Sequence, residues 1–139
     1  MPAPVPSDSP EMNMASVFQL RIYEVSSDRR AQFHERFERH ALRIMRRYGF
    51  TPVALWESTS VSDFEFIYIL QWPDIETMER QWKLFLADPE WIEIKRKMAA
   101  EIGEPVQRVT SRVLDDVGYS PALPPGPLSN PDSGDGDDG

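Results

Sequence analysis

The run from Phe64 to Trp72 limits the fold of this 139-residue chain more than any other segment, because an extended strand there is apolar on both sides. Side chains alternate along a strand. Phe66, Tyr68, Leu70 and Trp72 therefore share one face, and Ile67 and Ile69 take the other. Neither face suits water, so the fold has to cover both. Phe50 to Glu57 reads as a second strand, joined to the first through the polar stretch Ser58 to Asp63. That spacing predicts a hairpin with a loop longer than two residues.

The flanking sequence supplies the cover. Val17 to Val25 alternates, with Phe18, Leu20 and Ile22 on one side and Gln19, Arg21 and Tyr23 on the other. It is a strand with one dry and one mixed face. Ser27 or Asp28 is placed to cap the helix that follows. On that helix Phe33, Phe37, His40, Ala41, Ile44 and Tyr48 recur at three- and four-residue steps as one stripe, and Gly49 ends it. After Trp72, Pro73-Asp74 stops the strand and starts a helix with Ile75, Met78, Trp82 and Phe85 in register. Asp88 and Pro89 open a further helix as N-cap and first residue. Trp91, Ile94, Met98 and Ile102 line it, and Gly103 terminates it. Val106 to Val113 alternates again as the last strand.

The order strand, helix, strand, strand, helix pair, strand predicts an α+β domain of ferredoxin-like β-α-β-β-α-(α)-β topology, an antiparallel four-stranded sheet with helices on one face. The other face carries aromatic or aliphatic residues on two strands, which marks an interface. A homodimer packed sheet against sheet is the simplest way to cover it.

The domain is expected over residues 16–117. Residues 1–15 are rich in Pro, Ser and Met without periodicity, and 118–139 form an acidic Pro/Gly/Asp tail; both read as disordered. Translation has three candidate starts, Met1, Met12 and Met14. The opening residues carry four prolines, no basic residue and no apolar core, unlike a signal or transit peptide, so the expected location is cytoplasmic. No run approaches the ~20 apolar residues of a membrane span. Of the net charge of −8, the stretch from Asp115 onward contributes six Asp and no Lys or Arg, leaving about −2 for the rest. Without a net basic surface, neither nucleic acid nor anionic membrane is an expected partner. The arginines between Arg29 and Arg47 alternate with Glu35 and Glu38 and read as a solvated helix face.

Chemistry is constrained mostly by exclusion. There is no Cys, hence no thiolate nucleophile and no Cys-ligated metal. His34 and His40, the only histidines, are six apart on one helix and diverge by about 240°, so no metal site is expected. No nucleophile elbow, phosphate loop or dinucleotide fingerprint is present, and no cofactor is expected. His34 projects toward the polar edge. His40 lies within the apolar stripe, either as a partly buried histidine hydrogen-bonded to a neighbour or as an acid/base group. Arg21 and Tyr23 point to the same side of the first strand. An arginine on a covered face has to be paired, with Glu57 or Glu65 as carboxylate candidates or with an anionic ligand.

Gln19-Leu20-Arg21-Ile22-Tyr23 resembles the first-strand motif of NIPSNAP proteins. Phe37-Glu38-Arg39-His40 through Tyr48-Gly49 is similar to the family's first helix, Val53-Ala54-Leu55-Trp56 to its second strand, and Tyr68-Ile69-Leu70-Gln71-Trp72 to its third. Asp88-Pro89-Glu90-Trp91, after a helix bearing Arg80, is the most specific match. The resemblance implies a dimeric α+β barrel with an apolar pocket between sheet and helices, suited to a small apolar or aromatic ligand. Trp56, Tyr68 and Trp72 would bind such a substrate. Relatives of that fold include cofactor-independent monooxygenases, isomerases and polyketide cyclases. By that analogy His40 would move the proton, Tyr23 or Tyr68 would hydrogen-bond an enolate oxygen, and Arg21 would hold negative charge. The alternative is a non-catalytic ligand-binding or scaffold protein, since fold does not fix function.

Overall fold

The computed structural model describes residues 16–58 and 64–121. The expected N-terminal segment 1–15, the hairpin loop 59–63 and the tail from 122 onward lie outside the described residues. Strand β1 (Val17–Val25) leads through a 3-10 turn (Ser27–Arg29) into helix α1, which runs over 30–47. Strands β2 (Thr51–Ser58) and β3 (Phe64–Trp72), helices α2 (Ile75–Leu86) and α3 (Pro89–Glu101), and strand β4 (Val106–Leu114) come next in the chain. The sheet order is β2-β3-β1-β4, antiparallel throughout. This is the α+β ferredoxin-like arrangement from which dimeric α+β barrels are built.

Local chemistry explains the element ends. Asp74 accepts from Thr77 N at 2.7 Å and Asp88 from Trp91 N at 2.9 Å, each satisfying a free N–H of a first helical turn. At the end of α1, Gly49 adopts φ +80°. Gly49 N donates to Arg46 O and Phe50 N to Met45 O, the paired bonds of a Schellman cap. Gly103 (φ +90°) closes α3 through a bond to Ala99 O. The expected caps Ser27 and Asp28 form no such bond: the chain turns through a 3-10 segment instead. Ser26, just before it, accepts from Arg29 and Gln107.

Alternation on β1 and β3 decides which face is core. Val17, Gln19, Tyr23 and Val25 are buried beneath the helices, as are Phe64, Phe66, Tyr68, Leu70 and Trp72. Two aromatic clusters result. Phe33 and Phe37 of α1 pack on Phe66 with ring centroids 5.0 and 4.7 Å away. Phe50 meets Trp72 and Trp82, both at 4.8 Å, with Phe85 and Trp91 beyond.

Helix α1 is not the uniform α-helix that its periodicity predicts. It is α over Arg30–Arg36, π over Phe37–Ala41 and α again over Leu42–Arg47. A π turn widens the helix locally and shifts the phase of the α-helical turns on its C-terminal side. The buried set is therefore Phe33, Arg36, Phe37, Ala41, Ile44 and Met45. Met45 turns in, while His40 and Tyr48 stay partly exposed. Arg36 likewise departs from the expected solvated face: it is buried, donates two bonds to Glu104 (3.0 and 2.9 Å) and lies 5.5 Å from the Trp91 ring.

Among the described residues the far side of the sheet carries no helix. Residues directly opposite across paired strands share a face. By register Phe18, Leu20 and Ile22 therefore lie beside Ile67 and Ile69, with Trp56 opposite Ile67. Trp56 is 51% exposed. Among the described residues no helix is long and apolar enough to cross a membrane.

Candidate functional site

Three strands converge at Arg21. In the register Arg21 stands opposite Tyr68 of β3 on one side and Ser111 of β4 on the other. All three therefore sit on the helix-facing side. Tyr68 is fully buried, and its hydroxyl is 2.7 Å from that of Tyr23. Arg21 Nη2 donates to Tyr23 Oη at 3.3 Å, and its guanidinium lies 4.1 Å from the Trp82 ring centroid. Beside it, buried Gln19 accepts from Trp72 Nε1 at 3.0 Å and from Trp82 Nε1 at 2.8 Å. Its amide donates to Ser111 Oγ at 3.0 Å.

Among the described residues Arg21 makes no ion pair, and its buried Nε has no hydrogen-bond acceptor. The carboxylates that the sequence offers as partners are engaged elsewhere or face away. Glu57 binds Arg30 (2.8 and 2.7 Å) and His34 (3.1 Å). Glu65 sits opposite Glu24, one position out of phase with Arg21 and so on the other face. Burial draws the Arg21 pKa down, the phenols of Tyr23 and Tyr68 more than offset this, and the guanidinium stays charged. Tyr68 is pushed well above the ordinary tyrosine range, chiefly by burial and also by Tyr23, so it is a neutral hydrogen-bond donor.

The helix-facing positions of edge strand β4 are Val109, Ser111 and Val113, opposite Tyr23, Arg21 and Gln19. Val109 and Val113 are 47% and 42% exposed. The cluster therefore borders a short exposed apolar strip interrupted by one hydroxyl.

Of the residues singled out in the sequence, the structure brings together Arg21, Tyr23 and Tyr68, with Trp72 joined through Gln19. It does not bring in His40, whose Nδ1 is 3.1 Å from Arg43 Nη2 in an exposed contact along its own helix. The α1 rings that touch Tyr23 are Phe33 and Phe37. Trp56 and Tyr68, expected to form one wall, stand on opposite faces: Tyr68 pairs with Leu55, and Trp56 with Ile67. Gln19, Trp82 and Ser111 were not singled out. Gln19 carried a signal, since it shares the strand face of Arg21 and Tyr23. Trp82 read only as core, and the pairing of Ser111 with a strand 90 positions away in the chain has no local signature.

The NIPSNAP family model matches residues 18–121, which takes in all three helices and all four strands but for the first residue of β1. The chain belongs to the NIPSNAP family. Among solved structures it is similar to an uncharacterized NIPSNAP-like domain protein from Burkholderia xenovorans, with 25% identity and a TM-score of 0.67, covering 81% of this chain and 94% of that one. It shares its fold with SnoaB, a cofactor-independent oxygenase from Streptomyces nogalater, at 18% identity and a TM-score of 0.50, covering 74% and 94%. The same holds for the ActVA-Orf6 monooxygenase of Streptomyces coelicolor, solved with the ligand Nanaomycin D, at 13% identity and a TM-score of 0.51, covering 82% and 98%. No curated protein matches this NIPSNAP chain in sequence.

Proposed function

We propose that this NIPSNAP protein binds a small apolar or aromatic metabolite through an acidic oxygen held by Arg21, Tyr23 and Tyr68. The observation that carries the reading is the buried Nε of Arg21, which has neither a hydrogen-bond acceptor nor a carboxylate partner among the described residues. A charge in that setting costs stability unless an anion completes it. The hydrogen-bonded phenols of Tyr23 and Tyr68 stand beside it and share one O–H between them, leaving one donor for an oxyanion as it develops. Turnover, where it occurs, is cofactor-independent chemistry of the cyclase, isomerase or monooxygenase kind, passing through an enolate or phenolate. Fold likeness to two oxygenases supports that class. His40, turned toward Arg43, has no part in this proposal. Homodimerisation through the open sheet face is part of the same reading, since Phe18, Leu20, Ile22, Trp56, Ile67 and Ile69 need cover.

The test is capture of ligand from a metabolite extract by the full chain, read by native mass spectrometry. Turnover of each captured compound is then measured in air, without added cofactor. Arg21→Met is expected to abolish capture. Capture without turnover leaves a ligand-binding protein in place of an enzyme. Undiminished capture by Arg21→Met would sink the assignment.

A further inference from the structure

Resting on that reading, we infer that the ligand is a planar aromatic or conjugated monoanion, a carboxylate or an enolised carbonyl, and that Ser111 is a specificity-determining residue for it. A doubly charged phosphate ester is excluded from the class.

The charge count comes first. Among the described residues, the groups that act electrostatically on Arg21 are the phenols of Tyr23 and Tyr68, and neither brings a second positive charge. The site offers one cation in a setting largely withdrawn from water. A monoanion balances it. A phosphate monoester carries a charge of about −1.5 to −2 near neutral pH, and the excess would enter with no counter-cation, at a desolvation cost that pairing does not offset.

The donors point the same way. Among the described residues Arg21 Nε–H has no acceptor. Ser111 Oγ accepts from Gln19 and, among the described residues, donates to no group, so its proton is available. Arg21 and Ser111 are directly opposed on adjacent strands, where Cβ atoms are about 5 Å apart. Two such donors suit the two oxygens of a carboxylate, or the oxygens of an enolised β-dicarbonyl.

The rest of the ligand is set by the groups that flank these donors. The Trp82 ring lies against the guanidinium at 4.1 Å, so a flat aromatic surface already borders the anchor. Val109 and Val113, two residues either side of Ser111 and on its face, add an exposed apolar strip along β4. A flat apolar body can lie along that strip with its anionic end at Arg21.

Calorimetric titration of the full chain at pH 8 tests the class. The probes are three aryl monoanions (2-naphthoate, salicylate and 3-hydroxy-2-naphthoate), 2-naphthyl phosphate as the dianion, and 2-naphthamide as the neutral isostere. At least one monoanion is expected to bind about tenfold or more tightly than both the phosphate and the amide, the scale of one charge-assisted hydrogen bond. Ser111→Ala should weaken that monoanion several-fold. Val113→Asp, at a position 42% exposed, should abolish binding while circular dichroism shows the fold retained. Phosphate binding as tight as the best monoanion overturns the class and leaves the anion anchor standing. Amide binding as tight as the best monoanion overturns both the class and the anchor, as does binding of no anion. Monoanion binding that survives both Ser111→Ala and Val113→Asp overturns the docking along β4 and the role of Ser111.

Discussion

Replacing Arg21 by methionine should make the protein more stable while removing its capacity to bind an anion. The guanidinium leaves one buried N–H without an acceptor, an omission that costs about 1–3 kcal/mol. Its hydrogen bond to Tyr23 is long, at 3.3 Å, so little is lost when it goes. Its main favourable contact is the Trp82 ring at 4.1 Å, a cation–π interaction of about 0.5–2 kcal/mol. Methionine fills similar space, keeps an apolar stem against the sheet and recovers part of the ring contact through sulfur, about 0.3–1.5 kcal/mol. The balance favours the variant by about 1 kcal/mol, which for a domain near 100 residues is a rise in Tm of about 4–8 °C. Urea and thermal unfolding monitored by circular dichroism would read it. A loss of about 1 kcal/mol or more would refute the reasoning, because Arg21 would then be holding the fold together and no ligand would be needed to explain it.

Three further outcomes are expected from the structure. Asp88→Ala removes the cap of α3 and the buried partner of Tyr48 Oη (2.6 Å) and Arg47 Nη1 (2.8 Å), so chemical denaturation should show a loss of about 2–4 kcal/mol. Stability should also fall in acid. Hydrogen bonds from Arg43 and then Arg47 hold Glu90 down to about 2, and Asp88 is lowered first by Tyr48. A carboxylate with a depressed folded-state pKa stabilises fully above its unfolded value, about 4, and loses that contribution as pH falls toward the folded value. Tm should therefore drop between about pH 4.5 and about pH 2, less steeply in Glu90→Gln, and a flat profile would contradict the network. Finally, Trp56→Glu places a charge on the open sheet face, where Trp56 is 51% exposed. Light scattering should show a dimeric wild type and a monomeric variant with its fold intact.

How much of this was legible in the sequence depends on the range of the interaction responsible. Asp74, Asp88, Gly49 and Gly103 announce their roles because a cap is made by residues three or four apart. The faces of β1 and β3 follow from alternation within nine residues. Trp56 was misplaced relative to Tyr68 because hairpin parity depends on the length of the connection and on the irregularity between Pro52 and Ala54, neither of which shows in alternation. His40 is the partly buried, hydrogen-bonded histidine of one of its two readings, and helical spacing alone does not separate that reading from the acid/base one. Arg36 is buried by a pairing with Glu104, 68 positions away, and Ser111 meets Arg21 only through the sheet register. The anion anchor was half visible. Alternation put Arg21 and Tyr23 on a covered face and demanded a partner for the arginine, but that no carboxylate fills that role is a fact of three dimensions.

The central claim is that Arg21, without a carboxylate partner among the described residues, is completed by an anion. The Nε–H resonance of Arg21 in the 15N-labelled full chain tests it most directly, monitored by NMR as the aryl monoanions are added. On saturation by the tightest of them, that proton should move downfield and become protected from exchange, as it gains an acceptor. The side chains of Arg43 and Arg47, already bonded to Glu90, should stay where they are. Saturation with the Arg21 Nε–H unmoved would contradict the account.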